Sequence, residues 1–383
     1  MIKKLQNLSL LIFLPFAFIT NAQEARINEA DKEYENFGFM EAREIYLKVA
    51  EKGFESEELF ERLGNSYYFN ADYREALEWY DKLFDLNENQ DEGYLRRYAQ
   101  TLQVTGNTEK AKKVYNLTKS ESNQSLTAED YLYLINENSS RYATQKLNDI
   151  NTSGREFGHT YKDGKLIFSS TRDTGVFVKR KSSWDGLAFL DIYEAEITAD
   201  TVVDNISKVK GEVNTKYHES SAVLTQDGET MYYTRSVENK EDNNNRLLRI
   251  YRASLIDNRW QEIGGLSVNM EGFSTAHPAL GKDEKYLYFA SNRPGGMGES
   301  DLYRAAFKAD GSLDEPENLG EAINTKGRET FPFLSSENEL YFSSDGHFGL
   351  GGLDIFYVKV QDDTSFSDIL NVGKPINSYA DDF

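Results

Sequence analysis

Four histidines, His159, His218, His277 and His347, are the chain's whole supply of imidazole, and it has no cysteine. They are separated by 59, 59 and 70 residues, so no two share the spacing of a metal-binding motif. His159, His218 and His277 each fall near the start of an expected strand, where a repeat could carry them to one axis. Their registers differ by a residue or two, which argues against it. A disulfide, a thiolate metal site and a cysteine nucleophile are excluded outright. The serine-hydrolase elbow Gly-x-Ser-x-Gly is missing; Gly298-Glu299-Ser300-Asp301-Leu302 comes nearest and lacks the last glycine. Asp362-Asp363 and Asp381-Asp382 read as solvated loop charges, without the alternating ligands, glycine and distant glutamate of a calcium loop. The glycine-rich stretches Arg293–Gly298 and Gly346–Gly352 could cradle a phosphate, but no helix and no Lys-Ser/Thr pair follows either. The expectation is no cofactor, no metal and no catalytic set.

The elements that carry these residues come from a chain of 383 residues, too long for one ordinary core. Hydrophobic residues make up 39% and aromatics 13%, enough for a substantial interior. With 64 acidic against 43 basic side chains, the net charge is −21, which disfavours nucleic acid and anionic bilayers as partners. Lys3 and Lys4 precede an apolar run from Leu8 to Ile19, and Thr20-Asn21-Ala22 supplies small residues after it. This is the pattern of a signal peptide over residues 1–22, cleaved after Ala22; the run is too short to span a bilayer. No cysteine stands at the cleavage point to take a lipid. The expected location is the periplasm, with no membrane span in the mature chain.

Residues 24–137 repeat with spacings of 34 and 35. Ala30, Gly64 and Ala99 align, as do Ala42, Ala76 and Ala111, and then Tyr46, Tyr80 and Tyr115. Apolar residues recur at helical intervals, with breaks at Gly53, Asn70-Ala71-Asp72 and Gly106-Asn107. Each unit therefore reads as two antiparallel helices whose small residues permit close approach. A last helix is expected over 125–137, with Thr127 as N-cap and Asp130 three residues on. The pattern resembles the tetratricopeptide repeat over three units, the second matching best and lacking the family's proline. By that family's geometry Arg62, Asn65, Tyr68, Arg96, Arg97 and Gln100 would face the hollow of the array. They form a candidate site for a partner's carboxylate or backbone. The plainer reading pairs them with Glu58, Glu61 and Glu92.

Residues 142–383 switch to alternation. Leu166–Ser170, Met231–Thr234, Leu287–Ser291 and Leu340–Ser344 are four strand cores, each after a turn signal and each followed by a second strand. An asparagine closes every unit, at Asn151, Asn214, Asn269, Asn324 and Asn377. The first spacing is long because 173–190 insert a charged and aromatic loop. Units near 55 residues with three or four short strands suggest propeller blades. Tyr288–Gly296 followed by Asp301-Leu302-Tyr303 is similar to the WD40-like PD40 repeat, also found in the periplasmic TolB propeller. Tyr341–Ser344 with Gly351–Ile355 repeats it. The second blade departs, with Arg249 in place of the Asp191, Asp301 and Asp354 of the others, and Glu238 to Arg246 replacing the glycine loop. Those three aspartates are expected to cap backbone N–H groups.

The fold class is thus multidomain, α then β: a tetratricopeptide α-solenoid followed by a β-propeller of about four blades, read as incomplete. This order resembles the OmpA-family envelope proteins of Bacteroidetes, PorE-like components among them. In that family a peptidoglycan-binding domain follows, which this sequence does not reach. The resemblance implies a non-enzymatic periplasmic scaffold at the outer membrane, linked to type IX secretion or gliding. A PorP-type outer-membrane barrel is the implied partner, with peptidoglycan reached only through the further domain. The alternative is a ligand-binding or hydrolytic propeller that acts on peptide or glycan at its central channel.

Overall fold

The computed structural model describes residues 10–118, 126–147, 149–172, 181–199, 202–238, 246–281, 283–361 and 365–383. Lys3 and Lys4 of the expected signal peptide, residues 173–180 of the 173–190 insertion, the centre of the Glu238–Arg246 loop, Lys282 and Asp362-Asp363 lie outside the described residues. The chain divides into two compact units, one of residues 1–90 with Ser183–Gly186, the other of residues 91–182 with 187–383.

The first unit holds α1 (Leu10–Glu35), α2 (Phe39–Ala50), α3 (Glu57–Tyr68) and α4 (Tyr73–Leu86). The repeat pattern is realised physically at Gly64. A Cβ there would stand 2.5 Å from Cε1 of Tyr80, so only glycine lets the ring lie flat on α3. Tyr80 reaches on to donate to Asn65 Oδ1 at 2.8 Å, and Tyr46, one repeat earlier, donates to Asp31 at 2.6 Å. Ser56 caps α3 by accepting from Leu59 N at 3.1 Å. Ala30, Ala42, Leu63, Ala76 and Leu83 complete a fully buried seam. Trp184, from the segment that interrupts the first blade in sequence, packs among Phe37, Phe39 and Phe69 with its nearest ring centroid at 4.8 Å. Asn70 Nδ2 donates to the Trp184 carbonyl at 3.1 Å.

The second unit opens with α5 (Glu92–Val104), α6 (Thr108–Thr118) and α7 (Ala128–Asn138). The expected cap of α7 is present as a reciprocal capping box, Thr127 with Asp130. Four four-stranded antiparallel meanders follow. They are β1 (Glu156–Lys162), β2 (Lys165–Ser170), β3 (Asp191–Ala199) and β4 (Val202–Lys208); β5 (Glu219–Leu224), β6 (Thr230–Glu238), β7 (Arg246–Ile256) and β8 (Arg259–Gly265); β9 (Thr275–Leu280), β10 (Tyr286–Ser291), β11 (Asp301–Ala306) and β12 (Glu317–Asn318); β13 (Glu329–Leu334), β14 (Glu339–Ser344), β15 (Asp354–Lys359) and β16 (Leu370–Asn371). Among the described residues the chain is therefore helical repeats followed by a β-propeller of four blades.

Alternation along the second strand of each blade supplies both faces. Tyr233 packs with Ile167 and Ile192 of the first blade, whereas Tyr232 packs with Leu287 and Phe289 of the third. Tyr288 and Leu302 then meet Leu340, Phe342 and Phe356 of the fourth. The repeated asparagine is the clamp of each blade. Asn214, Asn269, Asn324 and Asn377 each accept from, and donate to, the backbone of one third-strand residue: Ile192, Ile250, Leu302 and Ile355.

Candidate functional site

The innermost strands β1, β5, β9 and β13 are each bulged at one place. Gly158, Ser221, His277 and Phe331 occupy that place, and all four are left-handed, with φ of 61°, 50°, 56° and 46°. At one position of the repeat the bulge therefore holds three non-glycine residues, Ser221, His277 and Phe331, in a conformation that L side chains rarely adopt, and a glycine in the first blade. Ser221 Oγ lies 2.9 Å from His277 Nδ1, and the His277 ring centroid lies 3.8 Å from that of Phe331. Phe331 stacks on Phe383 at 4.6 Å, and Phe157 meets both edge-on. Gly158 is required here, because a Cβ would stand 3.0 Å from the Ser221 Cα.

A serine hydroxyl beside an imidazole is the beginning of a nucleophilic pair. Burial depresses the His277 pKa to about 3, which makes it a feeble base at neutral pH. The histidines do not converge. His159 is exposed on β1, and His218 stacks on Phe189 at 4.1 Å while its Nδ1 accepts from Leu190 N at 3.2 Å. The register differences seen in the sequence account for this. His347 is half-buried, contacts the Ile323 carbonyl through Nε2 at 2.8 Å, and is pushed down to about 4 by desolvation. Among the described residues no group of three histidine or acidic side chains is placed to hold a metal ion.

Acidic side chains of the blades serve as latches. In Asn-Thr-x-x-x-Glu at 151–156, 214–219 and 324–329, the glutamate accepts from the threonine N–H and hydroxyl four residues earlier. Ser378 and Asp382 repeat the motif. The motif stands in the sequence, and a search beyond the asparagines would have found it. Asp301 accepts from Gly298 N at 3.1 Å and Asp354 from Leu350 N and Gly351 N at 2.9 and 2.8 Å, so both cap backbone as expected. Asp191 instead pairs with Lys208 at 2.6 Å.

The six residues expected in the hollow fall in both units. In the first, the Arg62 guanidinium lies 4.4 Å over the Tyr34 ring and 3.5 Å from Glu58. Asn65 is buried between Tyr34 and Tyr80, and Tyr68 is buried against Tyr73. In the second, Arg96 and Arg97 are buried on α5, and Arg97 pairs with Glu299 of the third blade. Gln100 donates to the Asp345 and Gly352 carbonyls at 2.9 and 3.4 Å. Phe348 lies between Tyr115 and Tyr131, at 4.5 and 5.3 Å, and leaves only about 20 Å³ open beside Arg96 and Gln100. Two of the six, Arg97 and Gln100, therefore engage the chain's own blade loops.

The fold and these contacts define a helical-repeat protein carrying a β-propeller. No family model and no curated protein matches the chain. Among solved structures, a puromycin-hydrolysing peptidase of Mycobacterium tuberculosis is 15% identical, with a TM-score of 0.32, over 56% of this chain and 38% of that one. An α-L-arabinofuranosidase from Lactobacillus brevis is 14% identical, with a TM-score of 0.35, over 56% and 71%. A Trypanosoma rangeli sialidase is 11% identical, with a TM-score of 0.30, over 55% and 36%. The chain thus spans well under half the length of that peptidase. Likeness this distant carries no activity across.

Proposed function

We propose that the protein is a non-enzymatic scaffold that joins envelope components through its helical repeats and one rim of its propeller. One observation carries this reading: the inner helix of the third repeat already binds a polypeptide loop, the chain's own. Arg97 takes Glu299, Gln100 takes two backbone carbonyls, and an aromatic pair takes Phe348. This is the carboxylate-and-backbone recognition that the repeat positions suggest. The signal-peptide pattern supports export to the periplasm, with cleavage after Ala22. The resemblance to OmpA-family envelope proteins supports residence at the outer membrane, a PorP-type barrel as partner, and a link to type IX secretion or gliding. Among the described residues no helix is long and apolar enough to cross a membrane. Affinity capture of the exported protein from the envelope fraction tests the proposal. Co-recovery of a stoichiometric envelope protein is expected; repeated recovery of the chain alone contradicts it.

A further inference from the structure

The second and third blades differ at one equivalent position. Arg252 on β7 and Arg304 on β11 face corresponding tyrosines, Tyr232 and Tyr288, across the second strand. On their other side the fourth strand supplies Glu317 opposite Arg304, but Gly264 opposite Arg252. Arg304 Nε accordingly donates to Glu317 at 2.9 Å. Arg252 Nε is buried without a hydrogen-bond partner. The two acids whose charge is felt at Tyr232 have hydrogen bonds of their own: Asp227 accepts from Thr225 Oγ1 and Glu229 N, and Glu284 from Gln226 N.

The missing carboxylate leaves space. A bulge in β8 beside Arg252 turns Ile263 out to 59% exposure, and nothing stands within 4 Å of where a Gly264 Cβ would be. A cleft of about 210 Å³ results between the two blades, with Arg252 and Tyr232 on one wall and Phe307 and Leu313 on the other. That volume is below the roughly 300 Å³ where small-molecule sites begin, and suits one side chain better than a glycan. A guanidinium recessed among apolar walls favours a bidentate carboxylate strongly.

We propose that this cleft receives an acidic side chain of a partner polypeptide, which takes the place that Glu317 holds in the third blade. The inference rests on the scaffold reading for the partner's existence and adds the chemistry of one contact. Its test needs no partner. The probes are N-acetyl-glutamate N-methylamide and its glutamine analogue, titrated into the isotopically labelled full chain while the Gly264, Gly265 and Gly311 amide signals are followed. The glutamate probe is expected to shift these signals saturably and the glutamine probe to leave them in place. R252Q is expected to weaken the glutamate probe by about tenfold or more. Equal shifts from both probes, no shift from the glutamate probe, or an undiminished response in R252Q overturns the inference. The two-probe comparison stands on the wild-type chain alone, and a null result there leaves envelope capture untouched.

Discussion

Asn324 holds Leu302 by both ends of its carboxamide: Oδ1 accepts from the Leu302 N–H at 2.8 Å, and Nδ2 donates to its carbonyl at 3.1 Å. Both residues are buried, so neither backbone group has water to fall back on. N324A is expected to destabilise the second unit by about 2–4 kcal/mol in chemical denaturation. N324D keeps only the acceptor half and adds a buried charge, and should cost at least as much. A loss in N324A below about 0.5 kcal/mol would show the clamp to be incidental.

This clamp was legible in the sequence, because an asparagine returning once per unit has no reason to do so in a loop. The strand cores and the aligned Gly64 and Tyr80 were legible for the same cause, that repetition amplifies a weak local signal. The partners of Arg97 and Gln100 were not, since they lie about two hundred residues or more away in blade loops. Nor was the difference between Arg252 and Arg304, which depends on a bulge in β8 that shifts its pairing by one residue. Of the four positions at the inner-strand bulges only His277 was singled out in the sequence, because Gly158, Ser221, His277 and Phe331 share a backbone conformation and not a residue type.

Gly64 tests the helical repeat. In G64A the new methyl meets the Tyr80 ring, and overpacking of this kind costs about 1–3 kcal/mol. Trimming the ring in the G64A/Y80L double variant should cost less than the two single losses added together. Strict additivity by thermal or urea unfolding would mean the two sites do not touch.

Arg235 and Glu219 form a buried pair at 2.8 Å, with Glu262 completing the group at 2.6 Å from Arg235. Burial pushes the Glu219 carboxyl up, and Arg235 and Thr215 oppose it. R235L leaves that carboxyl buried without its cation, and the expected loss is about 3–5 kcal/mol. The urea midpoint is the readout, and an unchanged midpoint would remove the pair from the account of the second blade.

Burial drives Glu329 and His277 in opposite directions. Glu329 is raised to about 7, so its contribution is complete below its ordinary pKa and is lost as pH rises toward 7. His277 is lowered to about 3, so its contribution is present above about 6.5 and is lost as pH falls. Between about 4.5 and 6.5 the two slopes oppose each other. E329Q, which imitates the protonated carboxyl, should therefore lose stability more steeply than wild type as pH drops through that interval. H277N should lose it less steeply. Parallel curves of unfolding free energy against pH for all three proteins would refute both assignments.

The scaffold claim is tested most directly by amine-reactive cross-linking of the protein in intact cells that express it, with the adducts mapped by mass spectrometry. The account predicts cross-links from lysines of the helical repeats and blade loops to one or two defined envelope proteins. Cross-links confined to the chain itself, together with turnover of a peptide or glycan that depends on Ser221 and His277, would contradict it.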